Sequence, residues 1–587
     1  MEEKCSEIED LEKRDQQIMY HKVKDLLGRR NHKKNIAIKT ADGKIAMDVE
    51  EVKSRWSEYI SELFYDDRAD PGEIRIDCED GPPIMKEEVE AAIAYMKRGK
   101  AVGEDGIDAE VIQVLGEFAV EKLTSLFQKM YESGYIVESL CESVFIALPK
   151  VEGTLECNKH RTLSIMSQTT KILLRIILKR IRTKLKTQIS DQQFGFVPGK
   201  GTSNALFALR VLTENVLEVQ KDIFVCFVDY EKAFDKVKHA NLFNMLNEAG
   251  IDGKDMRLMR NLYWKQKATV RVGDEESPSL EIRRGVRQGC VLSPELFNLY
   301  SEVIMRDLLE MDGIKAGGRN INNIRYADDT VLITDSEEKL QDLVPALVRA
   351  SGEHGLKLNV SKTKVMVISK ADNDISANVE VGGVVLEQVQ RYKYLGSVVT
   401  KDGRSVEEIK TRIAIAKNAF NKVKHIVTNR SISISLRRRF IKSYVWSTML
   451  YGCEAWTINK DMEKRIEAAE MWFFRRMLKI SWTDRVSNDV VLHRAGTKRE
   501  IMKIIRQRQL RFLGHVMRSQ QLENVCMTGR IEGQRGRGRP RVKLVDSLAK
   551  VVGGGVTPAQ LLRMTETRSD WRSMVADVLE DMPPGLD

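Results

Sequence analysis

The chain has no run of about 18 apolar residues, so nothing in it reads as a membrane-spanning helix. Its opening, MEEKCSEIEDLEKR, has neither the basic start nor the apolar stretch of a secretory signal. Cysteine is scarce: eight residues in 587, at 5, 78, 141, 157, 226, 290, 453 and 526, never as a close pair. That scatter argues against the usual zinc and redox spacings and predicts free thiols in a reducing compartment. Only eight histidines accompany them, so no structural zinc is expected. Proline is also rare, at 12 residues. These absences predict an ordered, intracellular protein, cytoplasmic or nuclear, with no membrane partner.

What is present is length and basic charge. Hydrophobic residues make up 42% and charged residues 31% of the chain, a globular balance with room for three or four domains. The formal net charge is +10, and the excess is localised. From Val491 to Lys550 there are fifteen Lys or Arg against four Asp or Glu, a net of +11. Such a patch suits a polyanion, although an acidic membrane surface would attract the same charge.

Periodicity predicts high helical content. VEEVKSRWSEYISELFYDD repeats apolar residues at helical spacing, and DDRADPGEIRIDCEDGPP reads as a linker. Further helices are predicted at MKEEVEAAIAYMKRG, from about Asp108, at NALFALRVLTENVLEVQ, and in EEIKTRIAIAKNAFNKVKHIV and DMEKRIEAAEMWFFRRMLKI. CESVFIALPK predicts a strand stopped at Pro149. TTKILLRIILKRIRTKLKTQIS has an apolar face and a basic one, the latter either solvated or facing phosphate. Arg535, Arg537, Arg539 and Arg541 alternate with small residues in GQRGRGRPRVK and could either follow a phosphate backbone or form a solvated linker.

The chemistry-bearing residues are acids. Continuous apolarity from Ile223 to Val228 predicts a strand covered on both faces, with Asp229 delivered at its end. In NNIRYADDTVLI, strand-like segments flank Asp328 and Asp329, which predicts a hairpin with the two acids at its turn. Should the strand lie beside the hairpin, three carboxylates meet, and divalent cations would relieve their repulsion. The alternative is that Asp229 caps a helix over YEKAFDKV and the other two merely turn the chain. Between them, GVRQGCVLSPELFNLY places Gly285, Gln288 and Gly289 ahead of a helix that begins near Pro294 and bears Phe297 and Tyr300. Gly permits close backbone approach and Gln288 offers both donor and acceptor, which suits a surface receiving a base pair; a simple turn into a helix looks similar.

The ordered set FVDYEKAFD, RQGCVLSPELFN, YADDTVL, GLKLNVSKTKVM and YKYLGSVV resembles the reverse transcriptase region of LINE-type non-LTR retrotransposons. The resemblance implies an α+β fold: a right-hand polymerase with fingers and palm over 85–400, a helical thumb over 401–490 and a basic, mainly helical nucleic-acid-binding region over 491–587. An N-terminal helical extension over 1–84 would precede them.

The resemblance also implies RNA-directed DNA synthesis using Mg²⁺, with Mn²⁺ as the alternative, held by Asp229, Asp328 and Asp329. Lys362 would stand near the triphosphate, and Arg161, Phe234, Gln288, Gly289 and Tyr326 would contact nucleotide or template, Phe234 screening the sugar 2′ position. Tyr394, Leu395 and Gly396 would support the primer. The implied partners are template RNA, a DNA primer or nicked target DNA, and deoxynucleoside triphosphates. Thr162 stands where the family usually has Pro, and Lys200 where Arg is frequent. The residues ahead of the polymerase motifs are too few for the endonuclease that related elements carry. A catalytically inactive nucleic-acid-binding relic and a group II intron-like maturase are the alternative readings.

Overall fold

The structure is a computed structural model that describes residues 37–68, 81–251, 253–370, 375–536 and 541–581. The elements that position the site are strands β1 (Val144–Pro149), β2 (His160–Ile165), β3 (Ile223–Val228), β4 (Lys267–Val272), β5 (Asn323–Tyr326), β6 (Asp329–Thr334), β7 (Lys364–Ile368), β8 (Arg391–Tyr394) and β9 (Ser397–Thr400). The main helices are α1 (Val49–Phe64), α2 (Gln168–Gln188), α3 (Thr202–Glu218), α4 (Ser293–Arg306), α5 (Glu337–Glu353), α6 (Val406–Lys422), α7 (Lys460–Leu478), α8 (Ile501–Arg518) and α9 (Arg568–Asp581). The result is a mixed α+β fold, with sheets in its first two-thirds and helices after residue 405.

The central sheet has the order β5, β6, β3, β7, then the short strand Glu387–Gln388. All six residues of β3 are buried, as its unbroken apolarity predicts. The cause is two different cores. Phe224, Cys226 and Val228 face one that includes apolar side chains of α2, α4 and α5, while Ile223, Val225 and Phe227 face another covered by α3. A long apolar run usually marks a parallel strand, yet both neighbours of β3 are antiparallel. What the run encodes is coverage of both faces, not strand direction.

The second sheet orders β2, β1, β4 and the short strand Glu275–Glu276. Helix α1 lies against it, burying Val52, Trp56, Ile60, Leu63 and Phe64 at helical spacing with Phe145 and Val270. Its start is fixed by Asp48, whose carboxylate accepts from Glu50 N at 2.9 Å. Residues 49–64, ahead of the polymerase-like motifs, therefore share a core with β1 and β4. The expected extension also covers residues 1–36 and 69–80, which lie outside the described residues.

The basic face of α2 has a third use beyond the two expected from sequence. Arg180 donates Nε and Nη2 to the Glu88 carboxylate at 2.8 and 2.5 Å, Arg182 pairs with Glu295 at 2.9 Å, and Arg175 stacks over Tyr95. These arginines join helices within the protein. After residue 405 a separate helical core runs from Ile409 to Ile505, including Phe420, Trp446, Trp456 and Phe473. Among the described residues, no helix is long and apolar enough to cross a membrane.

Candidate active site

Asp229 follows the last residue of β3, and Asp328 and Asp329 stand at the β5–β6 hairpin. The acids are not both in the turn: Ala327 and Asp328 form it, and Asp329 opens β6 opposite Tyr326. Thr330 pairs with Val228, so one step further along the ladder Asp329 faces Asp229. Opposed residues on antiparallel strands have Cα atoms about 4.5–5.5 Å apart. The alternative of a helix cap at Asp229 fails, because the next helical turn begins after Lys232, spans only Ala233–Lys236, and takes no side-chain cap.

Electrostatics show the crowding. Burial and then Asp229 raise the Asp328 carboxyl. Asp329, although its side chain opens onto a groove, is pushed up to about 6 by the surrounding protein and by Asp328 and Asp229, with Arg161 opposing. Lys362 Nζ lies 3.7 Å from Asp229 Oδ2. A compact loop brings it there: Asn359 N donates to the Asp229 carbonyl at 2.8 Å, and Asp229 N donates to Thr363 Oγ1 at 3.3 Å.

The turn itself is pinned from below. Ala327 has φ 58°, a conformation that L side chains rarely adopt. Fully buried Gln193 accepts from Ala327 N at 3.0 Å and from Gly195 N at 2.8 Å through one Oε1. Gly195 has to be glycine, since a Cβ there would sit 2.3 Å from Ala327 N. Beside it, the guanidinium of wholly buried Arg325 bonds Glu302 at 2.9 Å and Ser190 Oγ at 2.8 Å. Phe194 N donates to the Arg325 carbonyl at 2.8 Å, so the 191–196 loop extends the hairpin's edge.

The remaining residues singled out from sequence fall into three groups. Arg161 on β2 is exposed, and its charge reaches Asp328 and Asp329. Half-buried Phe234 stacks on Phe297 with centroids 4.2 Å apart and planes at 13°. Gln288 donates its side-chain amide to Asp235 Oδ1 at 3.2 Å, while its backbone carbonyl accepts from Ser164 N at 2.8 Å. Gly289, at φ 106°, lies so close to β2 that a Cβ would meet Ser164 O at 3.0 Å. Gln288 and Gly289 thus lie against β2.

The third group is the β8–β9 hairpin. Leu395 and Gly396 form its turn with φ 46° and 78°, the signs that a two-residue primed turn requires. A groove of about 170 Å³ separates it from the acids and is lined by Phe227, Asp329, Tyr392 and Leu395, among others. Tyr394 itself is 3% exposed and packs inward against Phe227. It shapes the hairpin and contributes to the wall of the groove. Tyr326 is half-buried across from Asp329.

Several residues escaped the sequence reading. Lys150, just past β1, is close enough to Lys362 and Arg161 for their charges, after burial, to lower its pKa. Buried Asp235 is pushed up to about 6 by burial, with Lys232 opposing. Lys232 is held down to about 8 by its own burial and donates to Tyr59 of α1. The signal for Asp235 was available as the second aspartate of FVDYEKAFD. For Gln193 the only trace was a pair of amides in DQQFGF.

Among the described residues, no three His, Cys, Asp or Glu side chains converge as a preformed metal cage. The donor set still suits a hard divalent cation: carboxylate oxygens, two of them held toward the neutral form by burial and then by their acidic neighbours. Of the basic tail, Arg535 bonds Glu218, Arg541 donates to the Asp402 carbonyl, and Arg537 and Arg539 lie outside the described residues.

The family model for reverse transcriptase (RNA-dependent DNA polymerase) matches residues 148–399, a span that holds the central sheet and all three acids. The RNA-directed DNA polymerase from mobile element jockey of Drosophila funebris is 24% identical over 73% of this chain and 48% of its own length. The retrovirus-related Pol polyprotein from type-1 retrotransposable element R2 of Nasonia vitripennis is 26% identical over 55% of this chain and 31% of its own length. The chain thus spans less than half the length of these two relatives. An uncharacterized transposon-derived protein of Caenorhabditis elegans is 31% identical over 35% of this chain and 75% of its own length. The motifs, the sheet that gathers them and these similarities agree: the chain belongs to the non-LTR retrotransposon-like RNA-directed DNA polymerases.

Proposed function

We propose that this chain adds deoxynucleotides to a primer 3′-hydroxyl on an RNA template, at a centre formed by Asp229, Asp328 and Asp329. The observation that carries this reading is the ladder register that sets Asp329 opposite Asp229, with Asp328 beside them. Divalent cations held by these carboxylates, Mg²⁺ or Mn²⁺, supply charge neutralisation and Lewis acidity for phosphoryl transfer.

The protein's own groups do the positioning. Lys362, Lys150 and Arg161 come from three elements and offer cationic contacts to a nucleoside triphosphate. Phe297 holds Phe234 by stacking, so that Phe234 can screen the 2′ position of the incoming sugar. Gln288, its amide oriented by Asp235, and Gly289, which admits close backbone approach, support the templating pair. The Leu395–Gly396 turn supports a DNA primer or the end of a nicked target. The regions over 85–400, 401–490 and 491–587 act as fingers and palm, thumb, and nucleic-acid-binding tail.

The test is metal-dependent incorporation of deoxynucleotides on a primed RNA template by the purified chain and by Asp328→Ala. Incorporation is expected to fall more than about 100-fold in the variant, beyond the loss typical of a displaced outer-sphere partner. Circular dichroism should be unchanged. Absence of incorporation by the unaltered protein with several primers and either metal would replace this reading with an inactive nucleic-acid-binding relic.

A further inference from the structure

Far along the chain from the acids, α8 and α9 enclose a cavity of about 620 Å³ whose charged lining is entirely cationic or imidazole: Arg511, His515, Arg518, Arg568 and Arg572. The spacing explains the convergence. Arg511, His515 and Arg518 stand on one face of α8 at i, i+4 and i+7, and Arg568 and Arg572 stand on one face of α9 at i and i+4. Each helix therefore turns a basic stripe toward the other.

Like charges do not gather without something holding them. Here the clamp is Trp571, 2% exposed, whose indole N–H donates to the Leu510 carbonyl at 3.1 Å. Gly514 allows the contact, since a Cβ there would stand 2.2 Å from the Trp571 indole nitrogen. Arg518 is further fixed by donating to the Thr565 carbonyl at 2.8 Å. Arg518 and Arg568 line the same cavity, and burial and the neighbouring Arg568 both lower the Arg518 pKa.

No carboxylate lines the cavity, and Arg511, Arg568 and Arg572 make no ion pair among the described residues. All five charged or imidazole side chains are solvent-exposed. This contrasts with Arg180, Arg325 and Arg412, each of which has its own glutamate. Four guanidinium groups with free donor edges, on helices fixed by a buried indole, match phosphate oxygens in charge and geometry.

We propose that the α8–α9 cavity is a phosphodiester-backbone site that grips a polynucleotide away from the polymerising centre. The proposal rests on reading the 491–587 region as nucleic-acid-binding, and is independent of polymerase chemistry. Several arginines spread along two helices suit consecutive phosphates of a strand better than one free phosphate.

The test is equilibrium binding of a fluorescent 30-nucleotide RNA and a DNA of the same sequence to the full chain, without metal or deoxynucleotides, across a salt series. The variant is Arg511→Gln/Arg568→Gln/Arg572→Gln. Each phosphate that is no longer neutralised lowers the magnitude of the log K against log salt slope by about 0.7 for a single strand, so a decrease of about 2 is expected, with at least about tenfold weaker binding near 0.1 M salt.

A control carrying Lys39→Gln, Lys122→Gln and Lys129→Gln removes the same charge from exposed positions elsewhere and should retain the slope. The triple Arg→Lys variant, which keeps the charge, should recover most of the slope and guards against misfolding. Equal losses in the glutamine variant and the lysine control would overturn the proposal. So would displacement of RNA by millimolar inorganic phosphate at constant ionic strength, which would identify a small-anion site. RNA and DNA binding equally supports a backbone site; preference for either names its source. Because no nucleotide is incorporated, a chain inactive as a polymerase can still pass, and an active one can fail.

Discussion

Two hairpins stand at one end of the central sheet, and they are held by different parts of the molecule. The β5–β6 hairpin carries Asp328 and Asp329, and the β8–β9 hairpin faces them across a narrow groove. Each forces a non-glycine residue into the left-handed region, Ala327 at φ 58° and Leu395 at φ 46°. That conformation costs of order 1–3 kcal/mol and persists only where the surroundings impose it. For the first hairpin the restraint comes from the loop against its own edge: Gln193, Gly195 and the Arg325–Glu302 pair.

For the second it comes largely from the helices beyond residue 405. Glu408 accepts from Val398 N at 2.6 Å, Arg412 donates to the Gly396 carbonyl, and Tyr451 donates to the Leu395 carbonyl at 2.7 Å. The acids are thus tied to the sheet, while the hairpin opposite them is tied to the helical region. If the two hairpins serve chemistry and primer as proposed, those roles should therefore be separable by mutation.

The largest separation is expected at Gln193. Gln193→Leu keeps the volume but leaves the N–H groups of Ala327 and Gly195 buried without an acceptor, at about 1–3 kcal/mol each. The turn should relax and misplace Asp328. Incorporation should fall about 10–100-fold in kcat, the loss typical of an outer partner of a metal ligand, with little change in KM for template–primer. A variant with a lowered melting temperature but full kcat below it would mean the turn holds its shape without Gln193.

A smaller effect follows from the raised carboxyls. Asp329 is pushed up to about 6, and Asp328 is raised as well. Below about pH 6 the folded protein keeps Asp329 protonated, and a neutral carboxyl is a poor cation ligand; above it the group ionises and can bind. Apparent affinity for Mg²⁺ should therefore rise by about tenfold between pH 5 and 7, most steeply near pH 6. Metal titrations monitored by thermal shift would show it, and an affinity flat across that range would remove Asp329 from the ligand set. The stability of the metal-free protein should move the other way: a carboxyl raised on folding favours the native state while it holds its proton, and that advantage is lost as pH rises from about 4 to 6.

Much of this arrangement was legible in the sequence, for local reasons. An unbroken apolar run made β3, a two-residue turn between strand-like segments made the β5–β6 hairpin, and Pro294 near a helix start made α4. The acids were found because each ends or begins such an element. What escaped depends on distant contacts: Gln193 meets Ala327 across 134 residues, and Lys150 meets Lys362 only when both sheets are folded. Nor can composition tell a solvated arginine from one that joins helices. Arg180 on α2 and Arg511 on α8 both stand on basic helical faces, yet Arg180 packs against Glu88 while Arg511 opens into a cavity. Nor does spacing alone show that α1 buries Trp56 in the same core as Phe145.

The finest cut falls on Tyr451. Its hydroxyl donates to the Leu395 carbonyl, lies 3.1 Å from Thr202 Oγ1, and its ring stacks beneath the Arg412 guanidinium. Tyr451→Phe removes the hydroxyl alone, keeping the ring and the cation contact. Leu395 is only half-buried, so water can take the hydroxyl's place and the loss should be about 1 kcal/mol, the net worth of one hydrogen bond. Since the proposed function gives the hairpin it steadies the primer and the acids the chemistry, that cost should appear as an approximately three- to fivefold rise in KM for template–primer with kcat nearly intact. The opposite split, kcat falling at constant KM, would mean that the two hairpins move as one body and that the helical region reaches the acids through Tyr451. Tyr326 makes that outcome worth testing, because it sits opposite Asp329 and already feels the Tyr451 phenol in its own raised pKa, after burial.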